Sequence, residues 1–353
     1  MNAPLSTEPP QPLRPWLLRA AALLGLALGG AVLAHFSMAT HPRFLHLPWS
    51  VDSQNAILER RVFVFEGVPV EFPSWRNRVL VPLAMRAITA VTPASSSQAY
   101  LLVRWASACA ALAAFTWLVR TATRAGWWLS GGAALVFALS LFPTFLHLYE
   151  VPSDFLDAAF FSLLLGCLLQ RRRLVFAGCL LLALLNRESA IFALIAWWAV
   201  HAWPFARRNF LRESAFCLTL GVAGTALVMG VRQANAMVAA PGSSGLQPFE
   251  PAMLFGMHWN MVVEFLRHPN YANPLFFLGA YLAFVGLVAA ASWSRLPAEL
   301  RRLGWTALAL YVVSVLYGNI DELRINIPAL VVSTLLLAWL AFRDTRPEPG
   351  PAP

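Results

Sequence analysis

Residues 149–189 read YEVPSDFLDAAFFSLLLGCLLQRRRLVFAGCLLLALLNRES. Three carboxylates open the stretch, Glu150, Asp154 and Asp157, and an apolar run carries it to the triplet Arg171-Arg172-Arg173. A second apolar run ends in Asn186-Arg187-Glu188. Ionisable groups set so deep in apolar sequence are costly in a bilayer, and they usually face a protein interior or a wet cavity. The arginine triplet marks a turn on one side of a membrane. The carboxylates and the Asn-Arg-Glu group then share the other side, and that is where a site is expected.

Composition fixes the class. Of 353 residues, 59% are hydrophobic and only 12% are charged, and the mean hydropathy is +0.62. Several apolar runs are long enough to cross a bilayer, so the chain reads as an all-α, polytopic transmembrane helical bundle. A net charge of +9 would point a soluble protein toward nucleic acid. Here the distribution of charge outweighs its sum, and no nucleic-acid partner is expected. The sequence has no lysine; all 26 basic residues are arginine, a mark of genome composition before it is one of function. Cys109, Cys167, Cys179 and Cys217 all lie in apolar runs without metal-ligand spacing. Neither a disulfide framework nor a zinc site is indicated.

Taken in order, residues 1–15 form a polar, Pro-rich cytoplasmic tail, and 16–342 form one transmembrane domain. The run 16–37 is longer than the apolar part of a signal peptide and reads as the first crossing. A polar first loop follows over 38–97, with one surface helix expected at 52–65 and a second at 78–91. The second is short and carries Arg86 at its centre, so it does not count as a crossing. Crossings follow at 99–119, 127–148 and 155–170. The run 174–203 is interrupted only at Asn186-Arg187-Glu188, and further crossings lie at 214–231, 274–293, 303–317 and 325–342. A long loop at 233–273 contains Gly242-Ser243-Ser244-Gly245 and an amphipathic 251–267, and residues 343–353 form a second cytoplasmic tail. There is no internal repeat. The Trp pairs 127–128 and 197–198 read as interface anchors, and His258 and His268 as interfacial residues.

About ten crossings put both termini on one side, and the charges test that assignment. The terminal side collects 15 arginines and five acids, the opposite side 11 arginines and 12 acids, nets of +10 and −1. Arginine-rich loops stay in the cytoplasm, so both termini are expected there. The same rule decides the 174–203 run. Arginines flank both ends, so it must go out and come back as two half-length helices of about 18–24 Å. That is short of a ~30 Å hydrocarbon core, and the turn would sit recessed in the outer leaflet.

Four polar groups converge on the outer face: the first loop with Asp52, the segment 150–157, Asn186-Arg187-Glu188, and the segment 319–324. Each has a plain structural explanation. Asp154 suits a helix N-cap with Asp157 as its capping-box partner. Arg187 and Glu188 suit ion pairs with neighbours that stabilise a short-helix turn. Asp321, Glu322 and Arg324 suit a solvated loop, and Asp52 an ordinary loop residue. Their convergence on one face is what raises the functional reading.

An early first-loop Asp, surface helices and many short crossings with charged outer turns together resemble the GT-C superfamily of membrane glycosyltransferases. The wording Arg78-Val79-Leu80-Val81-Pro82, Asp154-Phe155-Leu156-Asp157, Arg187-Glu188 and Glu322-Leu323-Arg324 also resembles bacterial members of that group. The resemblance implies transfer of a sugar from a polyprenyl-phosphate donor to an acceptor on the extracytoplasmic face, with inversion. It implies a carboxylate base in the first outer loop, at Asp52, with Glu66 and Glu71 as alternates. Asn186, Arg187, Glu188, Asp154, Asp157, Glu322 and Arg324 would bind substrate, the arginines meeting the phosphate. A divalent metal on Asp154, Asp157 or Glu150 is compatible with this chemistry and not required by it. The rival reading is a transporter or a flippase for lipid-linked saccharides, with the buried charges lining its path. A third is a structural member of an envelope-assembly complex.

Overall fold

The apolar runs become helices, and the polar residues between them set the ends. The computed structural model describes residues 47–61, 63–65, 68–70, 78–145, 152–203, 206–235, 274–317 and 326–342, with single positions at 25, 29, 263 and 267. Apart from those single positions, the expected first crossing and the segment 251–267 lie outside the described residues, as do His258 and His268.

Helix α1, Leu47–Glu59, stops at Arg60, which is left-handed (φ 54°). A short antiparallel hairpin follows, β1 Phe63–Phe65 against β2 Val68–Val70. This corrects the single helix expected over 52–65. Phe63-Val64-Phe65 and Val68-Pro69-Val70 are aromatic and β-branched residues on either side of Glu66-Gly67, a pattern that suits a hairpin better than a helix. Helix α1 buries one face, with Val51, Ser53, Gln54, Ala56 and Ile57, and leaves Asp52 and Glu59 on the other. Helix α2, Leu80–Val91, has only 12 residues and leaves Arg86 exposed. Its buried Val81 and Met85 join Val51 of α1 against Tyr100 and Val103.

The bundle proper begins with α3, Ser96–Thr123. Its start is a capping box: Gln98 N–H donates to Ser95 Oγ at 3.3 Å, and Ser95 N–H to Gln98 Oε1 at 2.8 Å. Next come α4, Trp127–Phe145, α5, Pro152–Leu169, and α6, Arg173–Leu184. A 3-10 turn, Glu188–Phe192, leads into α7, Ala193–His201. The chain ends with α8, Arg207–Ala234, α9, Pro274–Ala291, α10, Ala298–Tyr317, and α11, Ile327–Phe342. Among the described residues α3, α5 and α8 are long and apolar enough to cross a membrane, and several shorter apolar helices accompany them.

The run after the arginine triplet doubles back on itself. Phe176, early in α6, packs on Trp197, late in α7, at 4.5 Å between ring centroids. His201 Nε2 at the end of α7 donates to the Leu168 carbonyl at 3.0 Å, next to where α5 ended. The two ends of the bundle are thereby defined by contact. At one end Gln170 Nε2 donates to Thr121 Oγ1 at 3.1 Å, and Arg302 to the Val200 carbonyl at 2.9 Å. The buried Glu213 accepts from Arg173, from Arg212 at 2.9 Å and from the Trp197 indole N–H at 3.0 Å. Trp197 is therefore not an interface anchor: it is buried beneath α8, while Trp198 donates to Ser214 Oγ at 2.9 Å. At the other end stand the first residues of α3 and α5, the last of α6 and α8, and the 3-10 turn.

Helix α11 fills the middle, buried from Ile327 through Leu336 against α3, α4 and α5. Helices α3 and α5 pack closest, because Gly166 of α5 lies flat against the Trp117 ring of α3. A β-carbon there would overlap the indole. Replacing Gly166 by Ala should therefore lower thermal stability in detergent by about 1–3 kcal/mol, the cost of overpacking a dense core. Trp117→Leu added to it should recover part of the loss, and an unchanged melting point for the single variant would contradict the packing. The topology makes a second prediction. With the native cysteines replaced, Cys introduced at the exposed positions Thr92 and Arg172 should label from opposite sides of sealed vesicles. Labelling of both from one side would overturn the crossing pattern.

Candidate functional site

Asp154 and Asp157 stand one turn apart on α5, a spacing that puts both carboxylates on neighbouring faces of the helix. The helix begins at Pro152, so Asp154 lies in its first turn and is not the N-cap. That position still favours a carboxylate, since the unsatisfied N–H groups of the first turn are electropositive. Arg187 reaches both acids. Its Nη2 is 2.6 Å from Asp154 Oδ1 and its Nη1 is 3.4 Å from Asp157 Oδ2. The three side chains are 6%, 1% and 2% exposed, in the order Arg187, Asp154, Asp157. A guanidinium fork can bridge two carboxylates in this way where a lysine ammonium would act only as a point charge.

The backbone around Arg187 is tied from several directions. Asn186 and Arg187 both donate their N–H groups to the Ala183 carbonyl, at 2.9 and 2.8 Å, tightening the end of α6. Asn186 Nδ2 donates to the Ser153 carbonyl at 2.8 Å, linking the turn to the start of α5. Val79 N–H donates to the Leu185 carbonyl at 2.9 Å. That bond brings the segment before α2 onto the turn and sets Arg78 within electrostatic reach of Asp157. Two acids and two guanidiniums balance in charge, which makes their burial tolerable. Ser153 Oγ, Asn186 Oδ1 and Ser189 Oγ are buried with no protein hydrogen-bond partner.

Glu188 turns away from Arg187 and pairs with Arg232 at the end of α8, at 2.5 Å and partly exposed. Arg187 and Glu188 thus each pair with a neighbour on another helix. An extended Arg187 (φ −157°) followed by a 3-10 turn sends consecutive side chains in different directions.

Asp52 sits on α1, not in a loop, and α1 docks at this same end: Ile57 and Val79 pack with Leu185 and Val231. The Asp52 carboxylate is held by Arg61, whose Nη1 donates to Oδ2 at 3.1 Å while Nη2 donates to Oδ1. Arg61 also binds Glu59 at 2.5 Å. Hydrogen bonds to Asp52 and then Glu59 raise the Arg61 pKa above its ordinary value, so this cation stays charged at any physiological pH. Each Asp52 oxygen accepts one of these bonds and keeps a second lone pair.

Of the residues expected at the site, Asp154, Asp157, Asn186 and Arg187 form one cluster, and Glu188 adjoins it. Glu66, Glu71, Glu150, Glu322 and Arg324 lie outside the described residues. Among the described residues no group of three or more His, Cys, Asp or Glu could hold a metal ion. Charge pattern alone missed Arg61, Arg78, Arg232 and Ser153 as partners, and also Arg104, buried within α3. Arg78 had a signal, as the first residue of the Arg78–Pro82 wording. Ser153 and Arg232 had none, since a serine beside a helix start and an arginine at a helix end are ordinary. Comparison with family models, with curated proteins and with solved structures finds no match to this chain.

Removing Arg187 leaves two buried carboxylates with one cation too few, and breaking a buried pair this way typically costs about 3–5 kcal/mol. Arg187→Ala should therefore lower the melting temperature strongly. Asp154→Asn with Asp157→Asn in the same chain should restore most of it, whereas Glu188→Ala should restore nothing. Rescue by the Glu188 change instead would show that the pairing has been misassigned.

Proposed function

We propose that this chain is a polytopic membrane glycosyltransferase of the GT-C kind, working at the carboxylate-bearing end of the bundle. In this reading about ten helices cross a bacterial plasma membrane, both termini are cytoplasmic, and the donor is a sugar on polyprenyl phosphate. One observation carries it: α1, with Asp52, is docked on the same turn that holds the Arg187–Asp154–Asp157 cluster. A segment preceding the bundle and the most highly charged buried point within it thus come together at one end.

The chemistry suits the residues. Asp52 accepts the proton of an acceptor hydroxyl as that oxygen attacks the anomeric carbon. The bond from that carbon to the phosphate oxygen breaks on the opposite face, and the electron pair leaves with the polyprenyl phosphate. Glu66 and Glu71, on the same first loop, are the alternates for the base. Negative charge grows on the leaving phosphate, and Arg78 and Arg324 meet it in a poorly solvated setting. Arg187 acts from behind its two carboxylates as a positioning residue. Ser153 Oγ, Asn186 Oδ1 and Ser189 Oγ, buried beside the cluster without a protein partner, are hydrogen-bonding groups of the kind that suit the hydroxyls of a sugar. The rival reading, a flippase for lipid-linked saccharides, draws on the same buried charges.

Purified protein in nanodiscs, given a panel of polyprenyl-phosphate sugars and acceptors, should release polyprenyl phosphate. Asp52→Asn should slow that release roughly 10²–10⁴-fold, the usual loss on removing a general base. The fold should survive, because the side chain is about half exposed. If Asp52→Asn is fully active while Glu66→Gln or Glu71→Gln is dead, the base moves along the loop. Movement of labelled donor across proteoliposomes without any release of polyprenyl phosphate would replace the transferase with the flippase.

A further inference from the structure

The opposite, arginine-rich end of the bundle holds a cavity of about 590 Å³ that no part of the proposed chemistry uses. The ends of α3, α5, α7 and α11 and the start of α10 all contribute to it. Thr121, Arg124, Arg171, His201 and Glu299 form its polar wall, and Leu169, Leu300 and Trp339 supply much of the apolar one.

We infer that this cavity is a binding site for an acidic phospholipid whose single phosphate diester carries a hydroxylated headgroup. Three observations point there. Arg173 and Arg212, close by, are both closed on Glu213. Among the described residues neither Arg124 nor Arg171 enters a salt bridge, and these are the two that line the cavity. They come from two different turns, so an anion between them joins the α3–α4 and α5–α6 connections. The lining is divided between charge and hydrocarbon, as a ligand with a phosphate and an acyl stem requires. A soluble anion would have no use for Leu169, Leu300 and Trp339. Glu299 on the rim disfavours a second negative charge and accepts hydrogen bonds, which selects a monoanionic headgroup bearing hydroxyls. Basic pockets between helices at a membrane surface bind acidic lipid headgroups on general electrostatic grounds. The inference does not depend on the transferase reading, because it concerns the other end of the molecule.

Native mass spectrometry of the full chain in detergent, titrated with phosphatidylglycerol and with phosphatidylcholine, tests it. Phosphatidylglycerol should bind more tightly. Arg124→Ala with Arg171→Ala should weaken it about fivefold for each arginine removed, and Arg→Lys at both positions should keep most of the affinity. Both side chains are exposed, so the fold is not at risk, and a monodisperse elution profile confirms it. Equal binding of the two lipids by the wild type overturns the proposal on its own, as does undiminished binding by the double alanine variant. Displacement of phosphatidylglycerol by excess inorganic phosphate in the absence of other lipid would reassign the cavity to a soluble phosphate compound.

Discussion

One guanidinium between two buried carboxylates is the constraint on which the carboxylate-bearing end depends. Charges of this kind are not tolerated singly away from water; several kcal/mol of lost hydration per ion must be offset by close partners. Arg187 meets that requirement for Asp154 and Asp157 only if the turn after α6 holds a fixed distance from the start of α5. The Asn186 side-chain bond to the Ser153 carbonyl holds it, and the backbone bonds to the Ala183 carbonyl tighten the turn. Through Val79 the same constraint reaches the segment before α2, and through Ile57 it reaches α1. A single electrostatic requirement therefore organises elements from four separate stretches of the chain.

The other end of the bundle solves the inverse problem. There one buried carboxylate, Glu213, is surrounded by two arginines and an indole N–H. Acid in excess around one cation, and cation in excess around one acid, divide the molecule into two poles. The arginine-rich pole stays positive after its pairing is complete. At the carboxylate-bearing pole, Arg78 balances the charge left over in the Arg187–Asp154–Asp157 cluster. Such a division is a strong determinant of orientation in a membrane, because the arginine-rich ends resist translocation.

Much of this was legible in the sequence, for reasons that can be named. The out-and-back path of 174–203 followed from arginines at both ends of one apolar run. The four-residue cluster of Asp154, Asp157, Asn186 and Arg187 followed from placing all charged turns on one face. Partner choice was not legible. Glu188 is adjacent to Arg187 in sequence, yet the extended backbone at Arg187 separates the two side chains and delivers Glu188 to Arg232. Trp197 looked like a surface anchor because it belongs to a Trp pair, but the sequence does not say that α8 lies over it. The hairpin after α1 is hard to read in the sequence because a run of charged residues, Glu59 to Arg61, sits at the switch from helical to strand periodicity. Three-dimensional partners override local pattern at each of these points.

The α6–α7 pair is short by construction: α6 has 12 residues, and the return from Glu188 to His201 is a five-residue 3-10 turn followed by a nine-residue helix. At about 1.5 Å per residue, α6 covers about 18 Å of a bilayer core near 30 Å thick. In the proposed topology the lipid around this pair thins, or water fills the gap above the turn. Either way, in that topology the insulating layer is thin directly beneath Arg187. A membrane voltage drops across whatever insulator remains, so a thinner layer there carries a steeper field. A charged group entering or leaving this recess would respond to the potential of the living membrane, which makes the voltage, and not only the lipid, part of the environment of the site.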